Sequence, residues 1–86
     1  MFGTSLYSSE YDTLRLWLKN ARKSSGLSIR ELATKLNIHH SILGKVEKGD
    51  RKLELFEFIN YCNAIGVSAE EGFNVALEAN NKVYQP

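Results

Sequence analysis

The stretch from Gly26 to Gly49 constrains this chain more than any other, because both of its helices carry their own start and stop signals. Ser28 and Glu31 have the S-x-x-E spacing of a capping box. In that motif the serine hydroxyl and the glutamate carboxylate each satisfy a backbone N–H that the first helical turn leaves unpaired. Leu27 before the cap and Leu32 four residues into the helix fit a hydrophobic staple. Leu32, Ala33 and Leu36 then share the inward face. Asn37 stands where this helix must end, and asparagine follows glycine in preference for the left-handed backbone that such an ending uses. Ile38 leads into a second short helix over 40–48, with Leu43 and Val46 facing inward beside Ile38. Gly49 closes that helix as its C′ residue. The stretch therefore reads as two short helices joined by a tight turn.

The flanks are helical too. The only proline is Pro86, so no residue in the body forbids helix. Helical rather than alternating spacing dominates. A helix over 10–24 buries Leu14, Trp17, Leu18 and Ala21, with Ser9 as its N-cap and Asp12 near the positive end of its dipole. Asp50, Arg51 and Lys52 form a polar connection. A helix over 53–65 turns Leu55, Phe58, Ile59, Cys62 and Ile65 inward and ends at Gly66. A second capping box, Ser68 with Glu71, opens a last helix that reaches about residue 80, with Phe73, Ala76 and Leu77 on one stripe. Residues 1–9 read as a flexible lead-in from which Phe2, Leu6 and Tyr7 could fold back. Residues 10–80 read as one all-α domain of five helices, and residues 81–86 as a tail.

Several kinds of chemistry find no support. The single cysteine, Cys62, permits no internal disulfide and is expected to be a small buried apolar residue in a cytoplasmic protein. No apolar run reaches the length of a membrane span, and no basic-then-apolar signal pattern opens the chain. His39 and His40 are neighbours, so on a helix they point in different directions, and no further ligand stands at metal spacing. No glycine-rich phosphate loop follows a strand, because no strand is expected. The expectation is a non-enzyme without metal or cofactor.

Charge is more informative. The net charge is only +1. Ten of the eleven Lys and Arg residues precede Leu53, however, while half of the ten acids follow it. The first part can face a polyanion and the second cannot easily do so. Two short helices in this arrangement can seat the second one in the major groove of DNA.

The segments Leu27-Ser28-Ile29-Arg30-Glu31-Leu32-Ala33, Leu36-Asn37-Ile38, Leu43-Gly44-Lys45-Val46-Glu47-Lys48-Gly49 and Ala64-Ile65-Gly66-Val67-Ser68 occur in that order. In order and spacing they resemble the lambda-repressor-like, or XRE/Cro-type, helix-turn-helix family, over about residues 14–73. The resemblance implies a compact five-helix DNA-binding domain whose third helix is the recognition helix. It implies a partly buried salt bridge between Arg22 and Glu47. His40, Ser41, Gly44 and Lys45 would face base edges, with Ile42 either on a thymine methyl or packed on the second helix. Ser28, Ile29 and Arg30 at a helix N-terminus, with His39, Lys48, Arg51 and Lys52, would face phosphates.

The chain departs from the family pattern in three places. Ile29 stands where members often carry Gln. His39 stands where the cap is usually Ser or Thr, at a cost of ~1 kcal/mol. Gly44 lies inside the recognition helix, costs about 1 kcal/mol relative to Ala and offers no side chain for readout. Close approach to DNA and drift on an exposed face both account for it.

The resulting expectation is a sequence-specific transcriptional regulator, a repressor, reading double-stranded operator DNA as a homodimer. Val75, Leu77 and Tyr84 are the candidate dimer surface, and closure of the monomer's own core is the other reading of these residues. The alternative is a protein-interaction module or antitoxin that keeps the fold and binds a protein partner through the acidic C-terminal half.

Overall fold

Five helices follow one another in the computed structural model, which describes residues 9–83: α1 (Ser9–Ser24), α2 (Ile29–Leu36), α3 (His40–Lys48), α4 (Leu55–Ile65) and α5 (Ala69–Val83). Among the described residues there is no strand. Phe2, Leu6, Tyr7 and Tyr84 lie outside them.

Local chemistry sets the helix ends. The Glu31 N–H donates to Ser28 Oγ at 3.1 Å and the Ser28 N–H donates to Glu31 Oε1 at 3.0 Å, the reciprocal pair expected of the box. That bonding also holds the Glu31 carboxyl below its ordinary value, chiefly through the Ser28 N–H. Asn37 takes the left-handed conformation at φ 56°, and the next N–H, that of Ile38, reaches back to the Ala33 carbonyl. Gly49 at φ 90° ends α3 in the same way, with the Asp50 N–H bonded to the Lys45 carbonyl at 2.8 Å.

The centre of the molecule is made by Leu18 of α1, Leu32 and Ala33 of α2, Leu43 of α3 and Phe58, Tyr61, Cys62 and Ile65 of α4. Leu14, Trp17, Ala21 and Leu36 pack around it. Helix α5 runs along α1. Its approach depends on Gly72: a Cβ there would stand 2.7 Å from Phe58 Cζ and 2.8 Å from Trp17 Cζ3.

Several expectations are corrected. Helix α4 begins at Leu55 rather than residue 53, because Glu54 and Glu57 form a capping box of their own. Leu55 therefore sits in the first turn and is 62% exposed instead of inward. Phe73 and Leu77 also point outward, because α5 buries its small residues Gly72 and Ala79. Ile38 lies in the turn, 38% exposed. Ser68 accepts the Glu70 N–H at 3.2 Å, one residue short of the box expected with Glu71. Ser9 lies within α1 rather than capping it, and α5 continues to Val83 rather than ending near residue 80.

Candidate nucleic-acid interface

Helix α3 is fixed from behind by a buried polar network. The Arg22 guanidinium donates to Glu47 through Nε at 2.7 Å and Nη2 at 2.9 Å, and through Nη1 to the Leu27 carbonyl at 2.7 Å. Both charged side chains are at least nine-tenths buried. The Tyr61 hydroxyl donates to Glu47 Oε2 at 2.8 Å and lies 3.4 Å from the Leu18 carbonyl. The Arg22–Glu47 pair thus joins the end of α1, the residue before the α2 cap, the last turn of α3 and the middle of α4. The Glu47 carboxylate holds the Arg22 pKa above its ordinary value, and burial beside the same carboxylate pushes the Tyr61 phenol up, so both stay protonated.

The opposite face of α3 is open. Ser41, Lys45 and Lys48 are exposed, and His40 and Gly44 are half-buried. At 100° per residue these five occupy one arc of about 140°, away from buried Leu43 and Val46. Ile42 is half-buried between that face and the core, near Leu36 and Tyr61. No Cβ at Gly44 would meet any atom within 4 Å, so the helix is free to approach a flat or grooved surface closely there.

The helix entrance is made by imidazole rather than hydroxyl. His39 Nδ1 accepts the Ser41 N–H at 3.1 Å and stands 2.7 Å from Ser41 Oγ. The His39 and His40 rings stack with centroids 4.4 Å apart. Loss of solvent around His40, with the positive Arg30 and neighbouring His39, holds its pKa below the ordinary imidazole value. It is therefore neutral at pH 7, with one ring nitrogen able to donate and the other to accept.

Arg30 is exposed at the start of α2, where Ser28 caps and Ile29 is half-buried against the core. Lys48 ends α3. Arg51 is held by Glu57 in a two-pronged ion pair, Nη1 to Oε1 at 3.1 Å and Nη2 to Oε2 at 2.9 Å, while Lys52 beside it is exposed. Val75 is half-buried and Leu77 exposed on α5, well separated in the chain from α3.

Other chemistry is poorly provided for. Among the described residues, no three His, Cys, Asp or Glu side chains gather to hold a metal ion, and no helix is long and apolar enough to cross a membrane. Burial pushes the Cys62 thiol up to about 11, so it is not a nucleophile at neutral pH.

The family model described as Helix-turn-helix matches residues 18–72. The chain belongs to that family, the XRE, lambda-repressor-like branch of helix-turn-helix proteins. Members are DNA-binding transcription regulators. Among solved structures, the chain is similar to an XRE-family like protein from Pseudomonas syringae pv. tomato, at 28% identity and TM-score 0.77 over 81% of this chain and 85% of that one. It shares its fold with the clp gene regulator ClgR from C. glutamicum, at 22% identity and TM-score 0.72 over 84% of this chain and 92% of that one. No curated protein matches the chain.

Reasoning from sequence missed three residues of this helix-turn-helix domain that matter to the site. Tyr61 is one, although its spacing from Phe58 and Ile65 places it on the inward stripe of α4 and so gave a usable signal. Tyr11 and Arg15 are the others. Arg15 is only 6% exposed, stacks over the Tyr11 ring at 4.9 Å, pairs with Asp12 and packs on Gly49. A buried arginine on the first helix has no signature in charge pattern or periodicity.

Proposed function

We propose that this helix-turn-helix protein is a sequence-specific repressor that seats α3 in the major groove of operator DNA as a dimer. The observation that carries the reading is the division of α3 into two faces. One is locked to the domain through Glu47, and the other presents His40, Ser41, Gly44 and Lys45 with no acidic residue among them. His40 and Ser41 offer donors and acceptors to base edges, and Lys45 reaches guanine O6 or N7. The N–H groups of Ile29 and Arg30 face phosphate beside the Ser28 cap, as does His39 at the entrance to α3. Lys48, Arg51 and Lys52 supply positive charge at the other end.

One such domain reads only a few base pairs. Two copies, with recognition helices about 34–36 Å apart, read a palindrome. The acidic α5, through Val75 and Leu77, together with Tyr84 after it in the sequence, is the proposed pairing element. Exposed Leu55, Phe56 and Phe73 add apolar surface on α4 and α5. Bound to a promoter, the dimer occludes polymerase.

Titration of DNA from upstream of the gene, followed by fluorescence anisotropy at several salt concentrations, tests this. The reading predicts tight binding at low salt that weakens steeply as salt rises. H40A and K45A relax sequence preference, whereas K52A weakens all sequences alike. Absence of binding to upstream DNA at low salt contradicts it.

A further inference from the structure

The segment between α3 and α4 has no regular structure, yet α1 holds it at both ends. Gly49, at its start, is buried under the Arg15 guanidinium: a Cβ on Gly49 would lie 3.0 Å from Arg15 Cζ. Leu53, near its end, gives both its backbone groups to one side chain. The Leu53 N–H donates to Tyr11 Oη at 2.7 Å, and Tyr11 Oη donates to the Leu53 carbonyl at 3.3 Å. Tyr11 and Arg15 are one helical turn apart and stack on each other. Between the two attachments lie Asp50, Arg51 and Lys52. Within the segment, Arg51 Nη1 also bonds the Lys52 carbonyl at 3.2 Å. Backbone that would otherwise sample many conformations is therefore held in one, with the Lys52 side chain pointing to solvent.

We infer that Tyr11 is a positioning residue for DNA binding, its hydroxyl fixing the backbone that aims Lys52 at a phosphate. The inference rests on the DNA-binding reading above. A lysine on a fixed backbone loses less freedom when it meets a phosphate than one on a mobile loop. Tyr11 touches no DNA in this account and acts through the register of residues 50–53. Arg15 supports the tyrosine ring and fills the space at Gly49.

Y11F tests the inference, because it removes the hydroxyl and keeps the ring under Arg15. The probe is a mixed-sequence DNA duplex, and the readout is the slope of log affinity against log salt for wild type, Y11F, K52A, K48A and the two double variants. Each phosphate contact contributes about 0.9 to that slope. The expected result is that K52A lowers the slope by about that amount, that Y11F weakens binding with a smaller change of slope, and that Y11F/K52A is no weaker than K52A alone. Lys48 precedes the held segment, so the losses of Y11F and K48A multiply.

Hydrogen exchange at the Leu53 amide, faster in Y11F while the Arg22–Glu47 region keeps its protection, shows that the variant is folded and only the segment is released. A Y11F affinity equal to that of a salt-sensitive wild type overturns the positioning role alone. So does a Y11F loss that multiplies equally with K52A and K48A. A wild type without salt-dependent binding overturns the DNA reading itself, and this inference with it.

Discussion

Replacing Glu47 by alanine removes the acceptor of three hydrogen bonds and leaves the Arg22 guanidinium buried without a counter-charge. Removing one partner of a buried pair costs about 3–5 kcal/mol. The geometry places Glu47 at that level rather than at the ~0.2–1 kcal/mol of an exposed pair, because its side chain is 5% exposed and that of Arg22 is 7%. A domain of this size has on the order of 5–10 kcal/mol of stability, so E47A brings it close to unfolding at 37 °C. Urea denaturation followed by circular dichroism gives the loss directly.

The apolar double variant R22M/E47M sharpens the test. Removing both charges leaves no unpaired ion, and Tyr61 Oη still has the Leu18 carbonyl within 3.4 Å. The double variant is therefore expected to be more stable than E47A by at least ~2 kcal/mol. An E47A loss below ~1 kcal/mol, or single losses that simply add in the double variant, refutes the claim that this network locks α3 in place.

Other expectations follow from the same geometry. G72A forces a Cβ into Phe58 and Trp17 and should destabilise by about 1–3 kcal/mol in urea melts, whereas G44A meets nothing and should stabilise by about 1 kcal/mol. The contrast between them is the check. S28A removes one side of the α2 capping box and should cost about 1 kcal/mol, measured in the same way. The Arg51 pair and the Glu54 N–H hold the Glu57 carboxyl below its ordinary value. Its contribution to stability is complete above the ordinary carboxylate value and is lost as pH falls through the lower folded one. Both partners are more than one-third exposed, so the contribution is at most about 0.5 kcal/mol. Urea midpoints across the acid range should fall less steeply in R51A than in wild type.

Local signals made the helix-turn-helix itself legible. The Ser28–Glu31 box, the left-handed Asn37 and the Gly49 stop depend on a few neighbouring residues, and those residues stand in the sequence at fixed spacing. The Arg22–Glu47 contact joins residues far apart in the chain and came from the family resemblance, not from periodicity. The Glu54–Glu57 box is equally local, but glutamate is not among the preferred cap residues; it delayed the start of α4 and turned Leu55 outward. Packing decided what local signals could not. The small residues Gly72 and Ala79 let α5 lie close to its neighbours, which turned Phe73 and Leu77 to solvent although their spacing suggested a core stripe. At the site, the exposed basic residues could be read from the sequence. The groups that hold them, Tyr61 behind α3 and Tyr11 with Arg15 beside the α3–α4 segment, depend on tertiary approach. A tyrosine at helical spacing does not reveal which carboxylate or backbone group its hydroxyl will meet.

The central claim is that the outer face of α3 reads DNA while its inner face is held by the domain. The most direct measurement is an amide chemical-shift titration of the labelled chain with upstream duplex DNA. The largest shifts are expected at residues 39–45, with further shifts at 28–30 and 48–52 and little change at Tyr61 and Cys62. Shifts concentrated on the outer residues of α4 and α5, with α3 unmoved, contradict it.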